Sequence, residues 1–251
     1  IGWGANYDKQ PLKNEWGLAV SKTDSSYNPG QTLEHITEFE SFLTGKLNAY
    51  APGYRSLSFG ELNEQAKNHY QNLTDSKVKK YGLHIKPTIY AYVMERLAIE
   101  GYYNPFTGEG QVCTTLPSFM LPFVISHEMA HQAGIAAEGD ANLMAYALGT
   151  AGDDSTFRYS AYLNIWMYNT NRLIVRDSLA AKTFRQQLNP LTLAHLDTLK
   201  QLSRKYDNNM ARYSSKVYDQ YLKMEAQHDG IRSYGHVSTS ARLLEQKRMK
   251  G

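Results

Sequence analysis

The sequence holds a single cysteine, Cys113, among 251 residues. One thiol forms no intramolecular disulfide and excludes a thiolate-rich zinc site, so any bound metal must rely on imidazole and carboxylate. Long hydrophobic runs are missing as well: no stretch approaches the ~18 apolar residues that span a bilayer. A strong excess of one charge is missing too, with a net charge of +3 and Lys and Arg scattered except in the C-terminal "RLLEQKRMKG". That tail reads as a solvated helix end, and without a basic stripe interleaved with aromatics no nucleic-acid partner is expected. The opening "IGWGANYDKQ" lacks an initiator Met, a basic n-region and an apolar h-region, and the expectation is that an upstream signal or membrane anchor has been removed. Internal repeats and low-complexity tracts are absent too.

What is there is the composition of an ordinary globular protein, 42% hydrophobic and 20% charged, long enough for one core and a buried site. One domain over residues 1–251 is expected, with a leading segment and helices over 1–75 and a sheet, a metal helix and C-terminal helices over 76–251. The fold class is α+β, predominantly α. Residues 1–29, rich in Gly, Asn and Tyr, read as an irregular segment that wraps the surface. Leu33, Ile36, Phe39, Leu43 and Leu47 recur at helical spacing, with Thr32 as the expected cap. Ser58 and Glu61 form a capping-box pattern for the next helix.

Strands are expected in "KPTIY" and "GEGQVCTTL", where β-branched and aromatic residues are bounded by Pro and Gly. "PSFMLPFVISHEMAHQAG" reads as a buried helix ending at Gly134, and "EGDANLMAYALGT" as the start of another. Further helices are expected between Ser155 and Lys205, broken at Pro190. A helix, a Gly-containing loop and a final helix should follow in "YSSKVYDQYLKMEAQHDGIRSYGHVSTSARLLEQK".

The chemistry concentrates in "FVISHEMAHQAGIAAEGDAN". On a helix His127 and His131 lie on one face, one turn apart, and can aim at a single ion. Glu128 sits about 100° round the helix, where it can take a proton from a water instead of ligating. H-E-x-x-H arises by chance in roughly one chain in a hundred of this length. Most chance copies lie on polar helices, however, and this one follows the apolar run Phe119 to Ile125, where unpartnered polar groups are costly. A third ligand should follow the turn at Gly134. The spacing of H-E-x-x-H-x-x-G-x-x-H would place it at Ala137, which cannot ligate. Glu138 and Asp140 come next. Glu138 shares a helical face with Ala141, Asn142 and Ala145, which favours it over Asp140. Asn142 could then hydrogen-bond behind the ligand, while Asp140 reads as an acid in the first turn of a helix.

H-E-x-x-H followed by E-x-x-A-N resembles the gluzincin metallopeptidases, a resemblance that implies zinc binding by Glu138. The longer stretch "GYYNPFTGEGQVCTTLPSFMLPFVISHEMAHQAGIAAEGDANLMAY", with "WGANY" and "DGIRSYG", is similar to the Bacteroidetes family DUF3810 from Trp3 to Gly235. This resemblance implies a zincin-like fold and a membrane-anchored zinc metallopeptidase, its catalytic domain on the extracytoplasmic, periplasmic side.

The expectation is therefore a peptidase acting on peptides or proteins. One Zn2+ is held by His127, His131 and Glu138, and Glu128 is the general base. Tyr234, in a loop bracketed by Gly230 and Gly235, is the candidate oxyanion donor, ahead of His236, His228 and His195, which read more simply as ordinary hydrogen-bonded residues. Peptides are expected to add to the edge of the strand in "GEGQVCTT", bordered by Glu109, Gly110 and Gln111; an internal strand without substrate contact is the alternative. Two rival classes are a membrane-linked zinc sensor without turnover and a helical structural protein whose histidines merely pack. The sequence gives no oligomeric state.

Overall fold

The computed structural model describes residues 9–18, 29–73, 81–206 and 234–250. Helices predominate among these, with one three-stranded sheet, so the fold is α+β and mostly α. In chain order the elements are α1 (Leu12–Glu15), α2 (Pro29–Tyr50), a 3-10 turn (Ala51–Gly53), α3 (Phe59–Gln71), β1 (Ile85–Pro87), α4 (Ala91–Arg96), β2 (Gly101–Asn104) and β3 (Glu109–Val112). Then come α5 (Leu121–Gln132), α6 (Glu138–Ala151), α7 (Ser155–Arg176), α8 (Ser178–Gln186), α9 (Pro190–Tyr206) and α10 (Tyr234–Lys250). The helix and loop expected before α10 lie outside the described residues, as does most of the leading segment. Among the described residues no helix is long and apolar enough to cross a membrane.

Local chemistry sets the helix starts. Ser58 caps α3 as expected: its Oγ accepts the Glu61 N–H at 3.3 Å, and Glu61 Oε2 accepts the Ser58 N–H at 2.8 Å. Helix α2 starts at Pro29, upstream of the expected cap Thr32. A proline suits a first turn, where its missing N–H would have had no helical partner. Pro190 breaks the chain in the same way, by opening α9.

Helices α5 and α6 are buried on nearly every side, so they form the centre. Helix α5 packs on α6, α7, α3 and the sheet; α6 also meets α7 and α10, and α2 lies along α7. One apolar cluster joins Leu62 and Tyr70 of α3 to Ile85, Val112, Ile125, Met129 and Met144. A second joins Leu43 and Leu47 of α2 to Phe123, Tyr146, Tyr159 and Trp166. Each such side chain contributes about 1.5–3 kcal/mol when fully buried. The α2–α7 seam also holds a buried carboxylate. Glu40 accepts hydrogen bonds from Asn169 Nδ2 at 2.8 Å and from the Thr170 hydroxyl, yet burial still pushes it up to about 7.

The sheet order is β1-β3-β2, so β3 is the central strand and not the expected edge. Strand β1 runs parallel to it (Ile85↔Gly110) and β2 antiparallel (Gly101↔Val112). The hairpin that turns between Asn104 and Glu109 lays "GYYN" outside β3, and this makes β2 the outer strand on that side. The strand expected over "KPTIY" stops at Pro87: the Thr88 N–H still reaches Val112 O at 3.0 Å, but Ile89 and Tyr90 turn outward and are exposed.

Candidate metal centre

Helix α5 ends in a turn that also aims a ligand. Gly134 takes φ +94°, its N–H bonds to His131 O at 3.0 Å, and the Ile135 N–H bonds to Ala130 O at 3.0 Å. This is a Schellman closure, which needs a left-handed residue that glycine supplies without strain. The closure turns Ile135 O back towards α5, where it lies 2.8 Å from His131 Nδ1. His131 therefore carries a proton on Nδ1, and Nε2 is the atom it directs inward. Three residues later Glu138 opens α6. Its buried neighbours Ala141 and Ala145 let α6 lie close against α5.

The three expected ligands come together. His127 Nε2 and His131 Nε2 are 3.1 Å apart. Glu138 Oε2 lies 3.2 Å from His127 Nε2, and Glu138 Oε1 lies 3.4 Å from His131 Nε2. Donors held about 2.0–2.1 Å from a tetrahedral zinc sit about 3.3 Å from one another. With one donor atom from each residue the three lie within 4.8 Å of one another, and among the described residues this is the group that could hold a metal ion. Both Glu138 and His131 are buried. Burial raises the Glu138 carboxyl, but His131 and His127 outweigh it and hold it well below the usual range. Burial likewise pulls His131 down, and the adjoining Glu138 carboxylate reverses this and lifts it to about 9. In the metal-free protein a proton thus stands where a cation would.

Glu128 points elsewhere, as its place on the helix dictates. It is buried, and that burial raises its carboxyl to about 7 against the pull of His127 and His131. Among the described residues its Oε2 is a buried polar atom without a hydrogen-bond partner, as is His127 Nδ1. Such orphaned atoms are rare in folded proteins and collect at working sites. The sheet closes over this carboxylate through glycines. A Cβ on Gly101 would come within 2.6 Å of Glu128 Oε1, and one on Gly110 within 3.6 Å of Glu128 Cβ.

A family of proteins of unknown function, DUF3810, matches residues 1–239. The chain belongs to the DUF3810 family. No curated protein and no solved structure matches it, so the roles of residues in this DUF3810 protein rest on its own geometry.

That geometry separates the remaining candidates. Asp140 does not face the ligand cluster; its Oδ2 accepts the Leu12 N–H at 2.9 Å and so ties α1 to the first turn of α6. Asn142 is buried behind Glu138, but its Nδ2 donates to the Glu138 main-chain carbonyl at 2.9 Å and not to the carboxylate. This corrects the expected support for the ligand, since an i to i+4 bond along the helix is nearer at hand. His195 stacks on Phe119 with ring centroids 4.0 Å apart and lies 2.8 Å from the Tyr159 hydroxyl, a packing role. Tyr234 opens α10, but its side chain lies outside the described residues, as do those of His236 and His228. The residues expected to border a cleft are used within the sheet: Glu109 pairs with Lys86, and Gln111 Oε1 accepts the Tyr102 hydroxyl at 2.8 Å.

The motif did not flag Gly101, which the hairpin lays against Glu128. Cys113 N–H bonds to Glu100 O at 2.9 Å, which makes Glu100 and Cys113 a hydrogen-bonded pair. The next pair, Gly101 and Val112, is by alternation not hydrogen-bonded, so the main-chain N–H and C=O of Gly101 point off the sheet edge. Glu100 is exposed to solvent, yet the protein crowding it raises its carboxyl above the ordinary range, against the pull of His127. The signal for Gly101 was the hairpin turn "NPFTGE", which implies a strand on each side of it.

Proposed function

We propose that this DUF3810 protein is a zinc-dependent peptidase of zincin-like build, with one ion held by His127, His131 and Glu138. The observation that carries the reading is the gathering of His127, His131 and Glu138, one donor atom from each within 4.8 Å of the others, next to a separate buried carboxylate, Glu128, with an oxygen unpartnered among the described residues. A purely structural zinc site has no use for that second group. Zinc in an open three-ligand site acidifies a water and polarises a carbonyl.

The residues of the chain supply the rest. Glu128 takes a proton from the attacking water and returns it to the leaving nitrogen, roles that suit a carboxyl raised to about 7. A peptide is held by main-chain hydrogen bonds to the outer edge of β2, where the outward groups of Gly101 bring it past the Glu128 carboxylate. Edge pairing reads the backbone, so hydrolysis should depend little on side-chain charge. Tyr234 is the proposed donor to the developing oxyanion.

The test uses protein purified without a histidine tag. Elemental mass spectrometry should find near-stoichiometric zinc in the parent and in Glu128→Gln, with peptide hydrolysis abolished in the variant alone. Full activity in Glu128→Gln would remove the base, and absence of zinc after supplementation would remove the enzyme reading altogether.

A further inference from the structure

Away from the metal centre, positive charge collects on the seam between α7 and α10. Arg172, half-buried near the end of α7, reaches across to α10, where its Nη1 donates to Ser238 Oγ at 2.7 Å and to Thr239 Oγ1 at 2.9 Å. Ser238 is buried, so this corner of the guanidinium is fixed. The two bonds use both protons of Nη1. Among the described residues Nε and Nη2 have no partner, and neither is a polar atom sealed from solvent. The guanidinium is therefore pinned at one corner and open along the opposite edge. That edge carries the two parallel N–H groups that take an oxyanion in bidentate fashion.

Two more arginines share the place. Arg176 lies one turn on from Arg172 along α7, with its Nη1 turned back to Arg172 O at 3.4 Å. Arg242 lies one turn on from Ser238 along α10, on the face that receives Arg172. Burial first, then Arg176 and Arg242, pull Arg172 down to about 10, which leaves it charged at neutral pH. Among the described residues no carboxylate pairs with Arg172 or Arg176. Asp177 is next in the chain, but its Oδ1 accepts the Ala180 N–H at 2.8 Å and caps α8. Like charges one turn apart repel, and a bound anion would relieve that repulsion. The number of cations also selects the anion. A carboxylate has two oxygens, and the open edge of Arg172 takes both. A phosphate has a third oxygen and up to two charges, which suit Arg176 and Arg242.

We propose that the α7–α10 seam binds a phosphate group, with Nε and Nη2 of Arg172 as a bidentate fork and Arg176 and Arg242 flanking it. The site uses no residue of the metal centre and stands apart from the hydrolytic reading. Val175 and Leu179 are exposed on the same stretch of chain, so a lipid headgroup is tested beside the free ion.

Isothermal titration calorimetry of the full chain with inorganic phosphate, at constant ionic strength and with acetate as the reference anion, should show saturable binding of phosphate alone. Arg172→Lys separates the fork from the clamp, because a lysine can still donate to Ser238 and Thr239 but has no second edge. Phosphate affinity should fall about 10- to 100-fold in it, the range of a charge-assisted hydrogen bond, with metal content and the phosphate-free thermal midpoint unchanged. Arg176→Gln leaves the clamp untouched and should weaken binding about two- to fivefold, as loss of one exposed charge does. A second arm measures cosedimentation with vesicles of phosphatidylcholine and phosphatidylglycerol against phosphatidylcholine alone. Cosedimentation that Arg172→Lys abolishes supports the site and makes a lipid headgroup the source of the phosphate; binding of the free ion without cosedimentation supports it with a soluble phosphate compound as the source. Binding that survives Arg172→Lys places the anion elsewhere, the metal centre included, and overturns the proposal. Acetate bound as well as phosphate, or no binding in either arm, overturns it too.

Discussion

Gly101→Ala is a single-methyl test of how the sheet holds the catalytic carboxylate. The added Cβ would lie 2.6 Å from Glu128 Oε1, 2.8 Å from its Cγ and 2.9 Å from its Cδ. Non-bonded heavy atoms settle near ~3.5–4.0 Å, so the carboxylate must retreat by about 1 Å. Gly101 does not occupy the left-handed region, and its backbone accepts alanine without strain. Any effect therefore comes from the side-chain collision. Overpacking of this kind costs about 1–3 kcal/mol, and the lower end applies because the displaced atoms end a flexible side chain. Activity is far more sensitive, since a misplacement of about 1 Å at a reacting group costs about 100-fold. The expected outcome is a kcat/KM lowered about 100-fold with zinc retained and the urea midpoint lowered only slightly. Peptide kinetics, elemental analysis and denaturant titration on the same preparation check it. A zinc-loaded Gly101→Ala with kcat/KM within about twofold of the parent would refute the contact between β2 and the base.

The ligand assignment is tested by pairing Glu138→Ala with Asp140→Ala. The first should lose zinc, and the second should keep it while losing about 1 kcal/mol of stability with the Leu12 N–H contact; zinc loss in Asp140→Ala alone reverses the assignment. Metal uptake should depend on pH, because His131, at about 9 in the metal-free protein, must give up its proton to bind. Chelator competition should show affinity rising about tenfold per pH unit up to about pH 9 and levelling beyond it, and a flat profile over pH 6–8 contradicts the proton-for-cation exchange. Glu40 is raised from 4.5 to about 7 by burial, so it favours the folded state fully below about pH 4.5, and this contribution is lost as pH rises through about 7. Its share is up to about 3 kcal/mol, so Glu40→Gln should gain stability relative to the parent between pH 5 and 8; a stability difference independent of pH argues against a buried titrating group there.

The sequence by itself determined the parts of the site whose geometry is local. His127 and His131 face one point because helical periodicity puts them one turn apart, and Glu128 is set aside from them for the same reason. The turn at Gly134 was legible because only a left-handed residue ends a helix in that way, and the spacing to Glu138 followed from how soon α6 could begin. The capping box at Ser58 and the apolar character of α5 and α6 were equally local.

Tertiary structure decided what depends on strand order and on distant partners. Whether β3 or β2 lies outermost turns on hydrogen bonds between strands, and a period of two in the sequence reports faces but not neighbours. Gly101 therefore entered the site only when the hairpin laid it on Glu128, 27 residues away in the chain. Asp140 and Asn142 are each spent on main-chain groups, one of them in α1, a choice that no spacing within α6 encodes.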